Sequence, residues 1–315
     1  MNPRTLQLAN QIRRGNFLTD GGLETDLIFN HGIDLPCFAS FDLLSTDWGQ
    51  GLLRDYYRAY LDLAARHRAG FILESPTLRA NRDWGAKLGY DADQLARINR
   101  EAIDLLRDIR DQHRASAELP VLISGNIGPR GDGYVADNSM SAEEARAYHS
   151  HQLAAFAAST ADMVSAFTLN YSAEALGITR AAMDFDLPLV IAFTVETDGH
   201  LPTGQSLGDA IEELDDATGG YPLYYMINCA HPSHFEQRLA GDGAWRSRIE
   251  GVRGNASKCS HAELDGAEVL DDGNPAEFGD DYRRLQRLLP NLRVFGGCCG
   301  TDLRHVSRIA EACLA

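Results

Sequence analysis

Three cysteines in this chain have the spacing and the neighbours of a metal site. Cys298 and Cys299 are adjacent within the Gly-Gly-Cys-Cys-Gly segment at 296–300, and Cys229 follows Asn228 at the end of an apolar run. Adjacent cysteines bond to each other only with strain, but both can bind one ion together with a third thiolate from elsewhere in the fold. Three protein ligands leave zinc one open position, which is typical of catalytic zinc. From these residues alone, ordinary buried thiols remain an open alternative.

The thiols can meet only if the elements that carry them converge. Eight short runs of β-forming residues alternate with amphipathic stretches, and this order predicts a single-domain (β/α)8 TIM barrel, an α/β fold, over residues 1–315. Helical signals lie between the runs, such as the apolar spacing of 52–67 and a capping-box sequence that begins at Ser141. The predicted strands are 17–22, 71–77, 121–128, 163–169, 189–195, 224–230, 248–256 and 294–300.

Polar residues and cysteines collect at the carboxyl ends of these runs. Because the strands of such a barrel are parallel, these ends share one rim, where barrel enzymes keep their active sites. The barrel therefore predicts that the cysteines of strands six and eight lie close together. The rim residues are Asp20, Gly21, Gly22, Glu74, Thr168, Thr194, Cys229, Asn255, Cys298 and Cys299.

Composition excludes several classes of partner. The formal charge of −16, from 29 basic and 45 acidic side chains, repels phosphate backbones and anionic membrane surfaces, so we expect neither nucleic acid nor membrane as a partner. Residues 1–16 lack an apolar segment of signal-peptide length, and no run approaches the roughly 20 apolar residues of a membrane span. We expect a cytoplasmic protein, in which the six cysteines are thiols.

Several segments carry a family resemblance. They are Asp20-Gly21-Gly22 with Glu24-Thr25, Glu74 with Thr77 and Ala80-Asn81, Gly128-Pro129, Phe193-Thr194-Val195, Gly204 with Ser206-Leu207, Asn228-Cys229 and 296–301. With these segments the chain resembles the homocysteine S-methyltransferase family, which includes betaine-homocysteine methyltransferases and the homocysteine module of cobalamin-dependent methionine synthase. The resemblance implies one zinc ion per chain, bound by Cys229, Cys298 and Cys299, with the sulfur of homocysteine as fourth ligand.

The implied reaction moves a methyl group from a small cationic donor to homocysteine and gives methionine. S-methylmethionine, S-adenosylmethionine and betaine-like compounds are donors of this kind. Aromatic faces commonly hold such cations, and Phe41, Trp84 and Tyr171 are candidates beside the alternative that they only pack.

The resemblance also implies roles for the substrate-binding residues at the rim. Asp20, with Gly21 and Gly22, matches the family's carboxylate near the amino group of the acceptor. Glu74 matches a position where a carboxylate either orients ligands or accepts backbone hydrogen bonds, and the sequence does not decide between them. Asn255 is retained from the family's motif in the seventh strand and is expected to contact substrate.

Two departures from the family bear on the acceptor. The fourth strand of the family typically ends in Phe-Glu-Thr, and its glutamate contacts the acceptor's amino group, but here Thr168 follows Phe167. A threonine cannot offset an ammonium charge, so either Glu174 or Glu196 compensates or the acceptor is another thiol. In the seventh strand, residues 253–256 retain only the asparagine and alanine of the family's Tyr-Pro-Asn-Ala.

Other residues near the predicted rim have ordinary interpretations. His231, His234 and Lys258 are expected to be loop residues rather than ligands. The segment 261–281, with eight acidic side chains, is expected to be a solvated loop, with a flap over the rim as the alternative. The remaining cysteines, Cys37, Cys259 and Cys313, have no partner motif.

Three other functions remain open at this point. The same zinc barrel could act on a different thiol or as a demethylase, or it could bind zinc and thiol ligands without catalysis. A phosphate-binding barrel is the third, because the glycine-rich ends of strands seven and eight suit an anion, although it leaves the paired cysteines unexplained.

Overall fold

Eight parallel strands close into a barrel in chain order in this computed structural model, which describes residues 3–114, 119–136 and 139–314. Each strand pairs with its sequence neighbours, and β1 pairs with β8. The predicted (β/α)8 barrel is therefore confirmed. The strands are β1 Phe17–Leu18, β2 Gly70–Glu74, β3 Val121–Ile127, β4 Met163–Leu169, β5 Leu189–Phe193, β6 Tyr225–Asn228, β7 Ile249–Gly254 and β8 Val294–Gly297.

Helices follow the strands on the outside of the barrel. Within the described ranges, no helix has both the length and the apolar character needed to cross a membrane. The helices are α1 Pro3–Arg13, α2 Leu23–Thr25, α3 Asp47–Arg66, α4 Arg82–Lys87, α5 Ala92–Arg114, α6 Ala142–Ala157, α7 Ser172–Asp184, α8 Leu207–Thr218, α9 Pro232–Leu239, α10 His261–Asp265, α11 Pro275–Leu288 and α12 Leu303–Cys313.

Local sequence determines where these helices begin. Ser141 and Glu144 form the predicted capping box at the start of α6, in which each side chain accepts a hydrogen bond from the other residue's backbone N–H. The Thr46 side chain caps α3 and the Asp302 side chain caps α12. These caps satisfy N–H groups that have no partner inside the helix.

The apolar core has two layers because alternate strand residues point to opposite faces. One layer lies inside the barrel and includes Ile72, Val190 and Val294, with Leu8 and Ile12 of α1 packed against it. The larger layer lies between the strands and the outer helices. The barrel interior is thus filled with side chains, and the rim where the strands end is left for a site.

Seven of the eight observed strands are shorter than the predicted runs, and β4 has the predicted bounds, Met163–Leu169. Predicted strands 17–22 and 294–300 end at Leu18 and Gly297, and the residues that follow form loops at the rim. Gly22, for example, donates its N–H to the carbonyl of Thr301, which joins these two loops directly. Asp20, Cys229 and the Cys298-Cys299 pair are therefore loop residues above the barrel, whereas Glu74 and Thr168 belong to its wall, at the ends of β2 and β4.

Candidate metal centre and substrate cavity

Three cysteine sulfurs meet at the carboxyl-terminal rim of the barrel. Cys229 follows β6, while Cys298 and Cys299 follow β8, and their sulfurs lie within 4.8 Å of one another. The Sγ atoms of Cys229 and Cys299 are 4.0 Å apart. Three thiolates at this spacing form a donor set that suits a soft or borderline ion such as zinc.

Two of the three cysteines are paired with each other in the structure. The sequence predicts free thiols, but a disulfide joins Cys229 and Cys298, and Cys299 is free. The pairing is geometrically accessible because the two Cα atoms are 5.4 Å apart, within the usual range for disulfides. Since thiolates rather than disulfide sulfurs bind zinc, the complete three-sulfur set requires reduction of this bond.

Backbone hydrogen bonds fix the position of each cysteine. The N–H of Cys229 donates to the carbonyl of Arg253 at 3.1 Å, and the N–H of Cys298 donates to the carbonyl of Gly254 at 2.8 Å. The carbonyl of Cys299 accepts from the N–H of Ala256 at 3.0 Å. The end of β7 therefore holds the cysteines of β6 and β8 in register.

Two residues of the site have positive φ angles, in the left-handed region that residues other than glycine rarely adopt. Thr168, at an irregularity near the end of β4, has φ +58°, and Cys229 has φ +53°. Asn228 bridges to Thr168, because its amide accepts from the backbone N–H at 2.9 Å and donates to the hydroxyl at 2.8 Å. The Thr168 hydroxyl lies 3.6 Å from the Cys229 sulfur. A β-branched residue in this region is uncommon, and such conformations cluster at functional sites.

The sulfurs open into a cavity of about 620 Å³. Five of the predicted substrate-binding residues line it, namely Asp20, Gly21, Gly22, Glu74 and Thr168. Asn255 is not in the lining; its amide instead donates to the carbonyl of Cys229 at 3.0 Å. The structure thus gives Asn255 a contact that positions a cysteine.

Residues 17–313 match the profile of a family described as homocysteine S-methyltransferase. The chain belongs to this family. Homocysteine S-methyltransferase 3 of Arabidopsis thaliana is 21% identical over 94% of this chain and 89% of the relative. Membership in the homocysteine S-methyltransferase family makes the protein a methyltransferase.

Solved structures of MmuM, a homocysteine methyltransferase from Escherichia coli, have the same fold. The metallated form matches with a TM-score of 0.74 and 20% identity, over 98% of this chain and 99% of that chain. The oxidized form matches with a TM-score of 0.75 and 20% identity, over 99% of both chains. At this level of identity the likeness establishes the barrel fold alone.

A buried ion pair lies on the floor of the cavity. Arg253 donates to Asp20 Oδ1 at 2.7 Å and to the carbonyl of Gly21 at 3.1 Å, and it also contacts the Thr19 hydroxyl. The Tyr56 hydroxyl donates to Asp20 Oδ2 at 3.2 Å. Burial alone would lower the pKa of Arg253, but the nearby carboxylates, Asp20 first, raise it overall. The carboxylate that the family resemblance assigns to the acceptor's amino group is therefore already balanced by a cation.

Glu74 is the carboxyl group on this floor with an unused oxygen. Its Oε1 accepts from the Ser165 hydroxyl at 3.1 Å, whereas Oε2 is buried and has no hydrogen-bond partner among the described residues. Asn126 Oδ1 also lacks a partner there, and both residues line the cavity. Burial raises the pKa of Glu74 to about 7, against the opposing effect of Arg253. Two residues of the cavity lining therefore each have a buried oxygen without a hydrogen-bond partner among the described residues.

The two glutamates expected to compensate for Thr168 have other partners. Glu174 is buried 2.9 Å from His149 Nε2 and accepts from the backbone N–H of Arg130. Glu196 lies 3.1 Å from His261 Nδ1. Neither glutamate lines the cavity. The expectation that one of them replaces the family's fourth-strand glutamate is therefore not supported by their positions.

The aromatic candidates for donor binding are also engaged elsewhere. Phe41 and Tyr171 do not line the cavity. Trp84 does, but the guanidinium of Arg79 and the ammonium of Lys87 lie 3.8 Å and 3.7 Å from its ring centroid. The described aromatic residues that do line the cavity, besides Trp84, are Phe29, Phe38, Tyr57, Tyr134 and Phe167.

Behind the sulfurs lies a layer that the sequence did not reveal. His261 donates from Nε2 to the carbonyl of Cys229 at 2.8 Å, and its ring stacks on Tyr134 with 4.0 Å between centroids. The Tyr134 hydroxyl donates to the sulfur of Cys299 at 3.5 Å. Burial raises the pKa of the Cys299 thiol, so a bound cation is needed to favour its thiolate. No spacing in the sequence links Tyr134 or His261 to the cysteines.

His231 and His234, which follow Cys229 in the sequence, are not at the metal centre. His231 accepts from the N–H of Ser233 at the start of α9, and burial lowers its pKa to about 3. The ring of His234 donates to the carbonyl of Lys258 at 3.0 Å, and the Lys258 ammonium is paired with Glu277 on the surface. These residues are structural or exposed.

Part of the acidic segment covers the site. The sequence favours a solvated loop at 261–281, but six of its residues line the cavity, namely Leu264, Asp265, Ala267, Val269, Leu270 and Asp271. Asp271 accepts from the Ser257 hydroxyl at 2.5 Å, which ties this segment to the end of β7. Val269 at its tip is 79% exposed. The prediction of a loop is correct only for the middle of the segment, because 261–265 and 275–281 are helical, and part of the segment is a wall of the cavity.

Proposed function

We propose that this protein is a zinc-dependent S-methyltransferase that moves a methyl group from a small cationic donor to the thiol of homocysteine and gives methionine. The observation that carries the proposal is the convergence of three cysteine sulfurs at the edge of a cavity large enough for two small substrates. Cys229, Cys298 and Cys299 would hold one zinc ion. A zinc ion in such a site supplies a Lewis acid that lowers the pKa of a coordinated thiol.

The chain's own residues bind and orient the acceptor. Glu74 Oε2 and Asn126 Oδ1, the unpaired oxygens of the floor, would accept hydrogen bonds from the ammonium group of homocysteine. Asp20 is less suited to this role because Arg253 balances its charge. Glu74 ionises more readily when the ammonium is beside it, since an opposite charge favours the carboxylate.

The bond changes then balance without an external oxidant. The acceptor thiol loses its proton to solvent, and a sulfur electron pair attacks the methyl carbon. The new carbon–sulfur bond forms as the bond between methyl and the donor's positive sulfur or nitrogen breaks, and that electron pair stays on the departing neutral product. Apolar walls that include Phe29 and Phe38 would exclude water from the reacting groups.

A metal measurement combined with an assay tests this proposal. Zinc-edge X-ray absorption on reduced protein should show three sulfur neighbours and one lighter atom, and four sulfurs after addition of L-homocysteine. The same protein should form methionine with at least one of S-methylmethionine, S-adenosylmethionine or betaine. A protein that binds no zinc, or that binds zinc and turns over none of these donors, would contradict it. Reduced thiols are required, so we propose a cytoplasmic location.

One observation favours a second acceptor class at the same centre. Thr168 stands where the family resemblance implies a carboxylate, and Arg253 adds a positive charge to the floor of the cavity. The site therefore has less negative charge available to bind an ammonium group than the resemblance implies. A thiol without an amino group, such as 4-mercaptobutanoate, would then compete with homocysteine. Methylation of this thiol with a kcat/KM equal to or above that for homocysteine would support the second class.

A further inference from the structure

Arg79 is a cation of the cavity that forms no ion pair with a described carboxylate, although Asp132 and Glu24 line the same cavity. It lies in the loop between β2 and α4, is half-buried and lines the cavity. No described residue makes an ion pair or a hydrogen bond with its guanidinium. The contrast is Arg253, the other arginine of the cavity, which is paired with Asp20 at 2.7 Å. Guanidinium groups with five donors usually find acceptors, so this one is available to a ligand.

Trp84 holds Arg79 in place. The guanidinium carbon lies 3.8 Å from the ring centroid and the Lys87 nitrogen 3.7 Å. The two cations therefore share this one ring. The Trp84 backbone is itself fixed, since its N–H donates to the capping side chain of Asn81 at 3.2 Å. Stacking uses the face of the guanidinium and leaves its N–H edge for a carboxylate.

The charges near Arg79 indicate what it can bind. Burial lowers its pKa, and Asp132, Glu24 and the thiols Cys37 and Cys299 oppose this effect. Arg79 and Cys299 line the same cavity. A donor that carried only a positive charge would be repelled by the Arg79 guanidinium, whereas a donor with a carboxylate would be bound by it.

We propose that Arg79 binds the carboxylate of the methyl donor and so selects zwitterionic onium compounds, of the betaine or methionine type, over onium compounds without a carboxylate. This inference rests on the proposed function. Glu74 and Asn126 would take the acceptor's ammonium group. The acceptor's own carboxylate is therefore the competing ligand for Arg79, and the KM for homocysteine in the test below separates the two. Arg79 lies beside Trp84 in the loop after β2, whereas the sulfurs follow β6 and β8, and both groups line the same cavity.

The test compares matched donors with charge-removing variants. Arg79→Met should raise KM about 10- to 100-fold for S-methylmethionine or betaine, the loss expected for a charge-assisted hydrogen bond. It should leave KM unchanged for the methyl ester of S-methylmethionine and for choline, and leave KM for homocysteine and the zinc content unchanged. Arg79→Lys should recover part of the loss. Lys87→Met is the control, because it removes the other cation from Trp84 without altering the cavity lining.

Two outcomes would overturn the inference. One is an equal effect of Arg79→Met on donors with and without a carboxylate, and the other is a rise in KM for homocysteine alone, which would assign Arg79 to the acceptor. If the wild-type enzyme turns over no donor, the proposed function fails separately, and calorimetry still tests Arg79. Zinc-loaded protein should bind betaine more tightly than choline, and Arg79→Met should remove the difference. Equal wild-type affinities would refute the proposal.

Discussion

The guanidinium of Arg253 donates to the carboxylate of Asp20 across 2.7 Å, and both side chains are almost completely buried. Arg253 comes from β7 and Asp20 from the loop after β1, so the contact crosses the floor of the cavity between two strands that are not neighbours. A buried pair of this kind costs desolvation, which its mutual attraction offsets only while both partners are present.

Removing one partner of this pair should therefore be more harmful than removing both. We expect Arg253→Met to lower the free energy of unfolding by about 3–5 kcal/mol, because it leaves a buried carboxylate unpaired. The double variant Asp20→Asn with Arg253→Met should recover most of this loss. Urea unfolding of the four proteins of the cycle measures the coupling. Additive losses in the double variant would show that the pair does not act as a unit.

The pKa of Glu74 predicts a pH dependence of stability. Burial raises this pKa from 4.5 to about 7, so the folded state holds the proton more tightly than the unfolded state. The resulting stabilisation is fully present below about pH 4.5 and is lost as the pH rises through about 7. Glu74→Gln cannot titrate and should lack this part of the pH slope in urea unfolding. An identical slope in the variant would contradict the shift.

The same group predicts how acceptor affinity varies with pH. If the ionised Glu74 binds the ammonium of homocysteine, KM for homocysteine should fall about 10-fold as the pH rises from about 6 to 8, following the ionised fraction. Glu74→Gln should have a higher and flatter KM. 4-Mercaptobutanoate controls for titration of the substrate thiol, because it keeps the thiol and lacks the amino group. Parallel profiles for the two thiols would argue against Glu74 as the ammonium ligand.

The cysteine cluster predicts a requirement for reduction and for all three sulfurs. Without reductant, thiol titration of the unfolded protein should count the four cysteines that are free in the structure, and zinc binding should be lost. With reductant it should count all six, with one zinc bound per chain. Cys229→Ser, Cys298→Ser or Cys299→Ser should each lower activity at least about 100-fold, since a ligand is lost from the metal. Cys259→Ser is the matched control, because this thiol lies outside the cluster.

The strand order and the meeting of the cysteines could be predicted because they depend on period and topology alone. Parallel strands in chain order bring all carboxyl ends to one rim, and this places Cys229 near Cys298 without knowledge of any side chain. The pairing of Arg253 with Asp20 could not be predicted in the same way. Which residues of β7 point inward depends on register, and the pairing of β6 with β7 contains a shift between Tyr225 and Met226.

Residues on loops were harder still to place from sequence. Arg79 and Tyr134 lie on loops, and the conformation of a loop cannot be read from a periodic pattern of apolar residues. Glu174 shows the opposite error, since its position near the end of a strand suggested the site while its buried contact with His149 directs it into the packing between α6 and α7. Sequence patterns therefore predicted the position of the rim. Contacts between residues far apart in the sequence determine which side chains reach the cavity there.

The layer behind the sulfurs predicts that zinc affinity depends on residues that do not touch the metal. His261 holds the carbonyl of Cys229, and the Tyr134 hydroxyl donates to the sulfur of Cys299. We expect His261→Gln and Tyr134→Phe each to weaken zinc binding about 10- to 100-fold, the usual effect of losing a group that orients a ligand. Competition with a chromogenic chelator under reducing conditions measures this affinity.

His234→Gln is the control for these variants, because its ring donates to the carbonyl of Lys258 on the surface rather than to a cysteine. Its zinc affinity should equal that of the wild type. Tyr134→Phe keeps the stacked ring and removes only the hydroxyl, so it separates the sulfur hydrogen bond from the packing of His261. Normal zinc binding by Tyr134→Phe together with weakened binding by His261→Gln would show that the hydrogen bond from His261 to the carbonyl of Cys229 orients the metal ligands. The Tyr134 hydroxyl would then act only on the free thiol of Cys299.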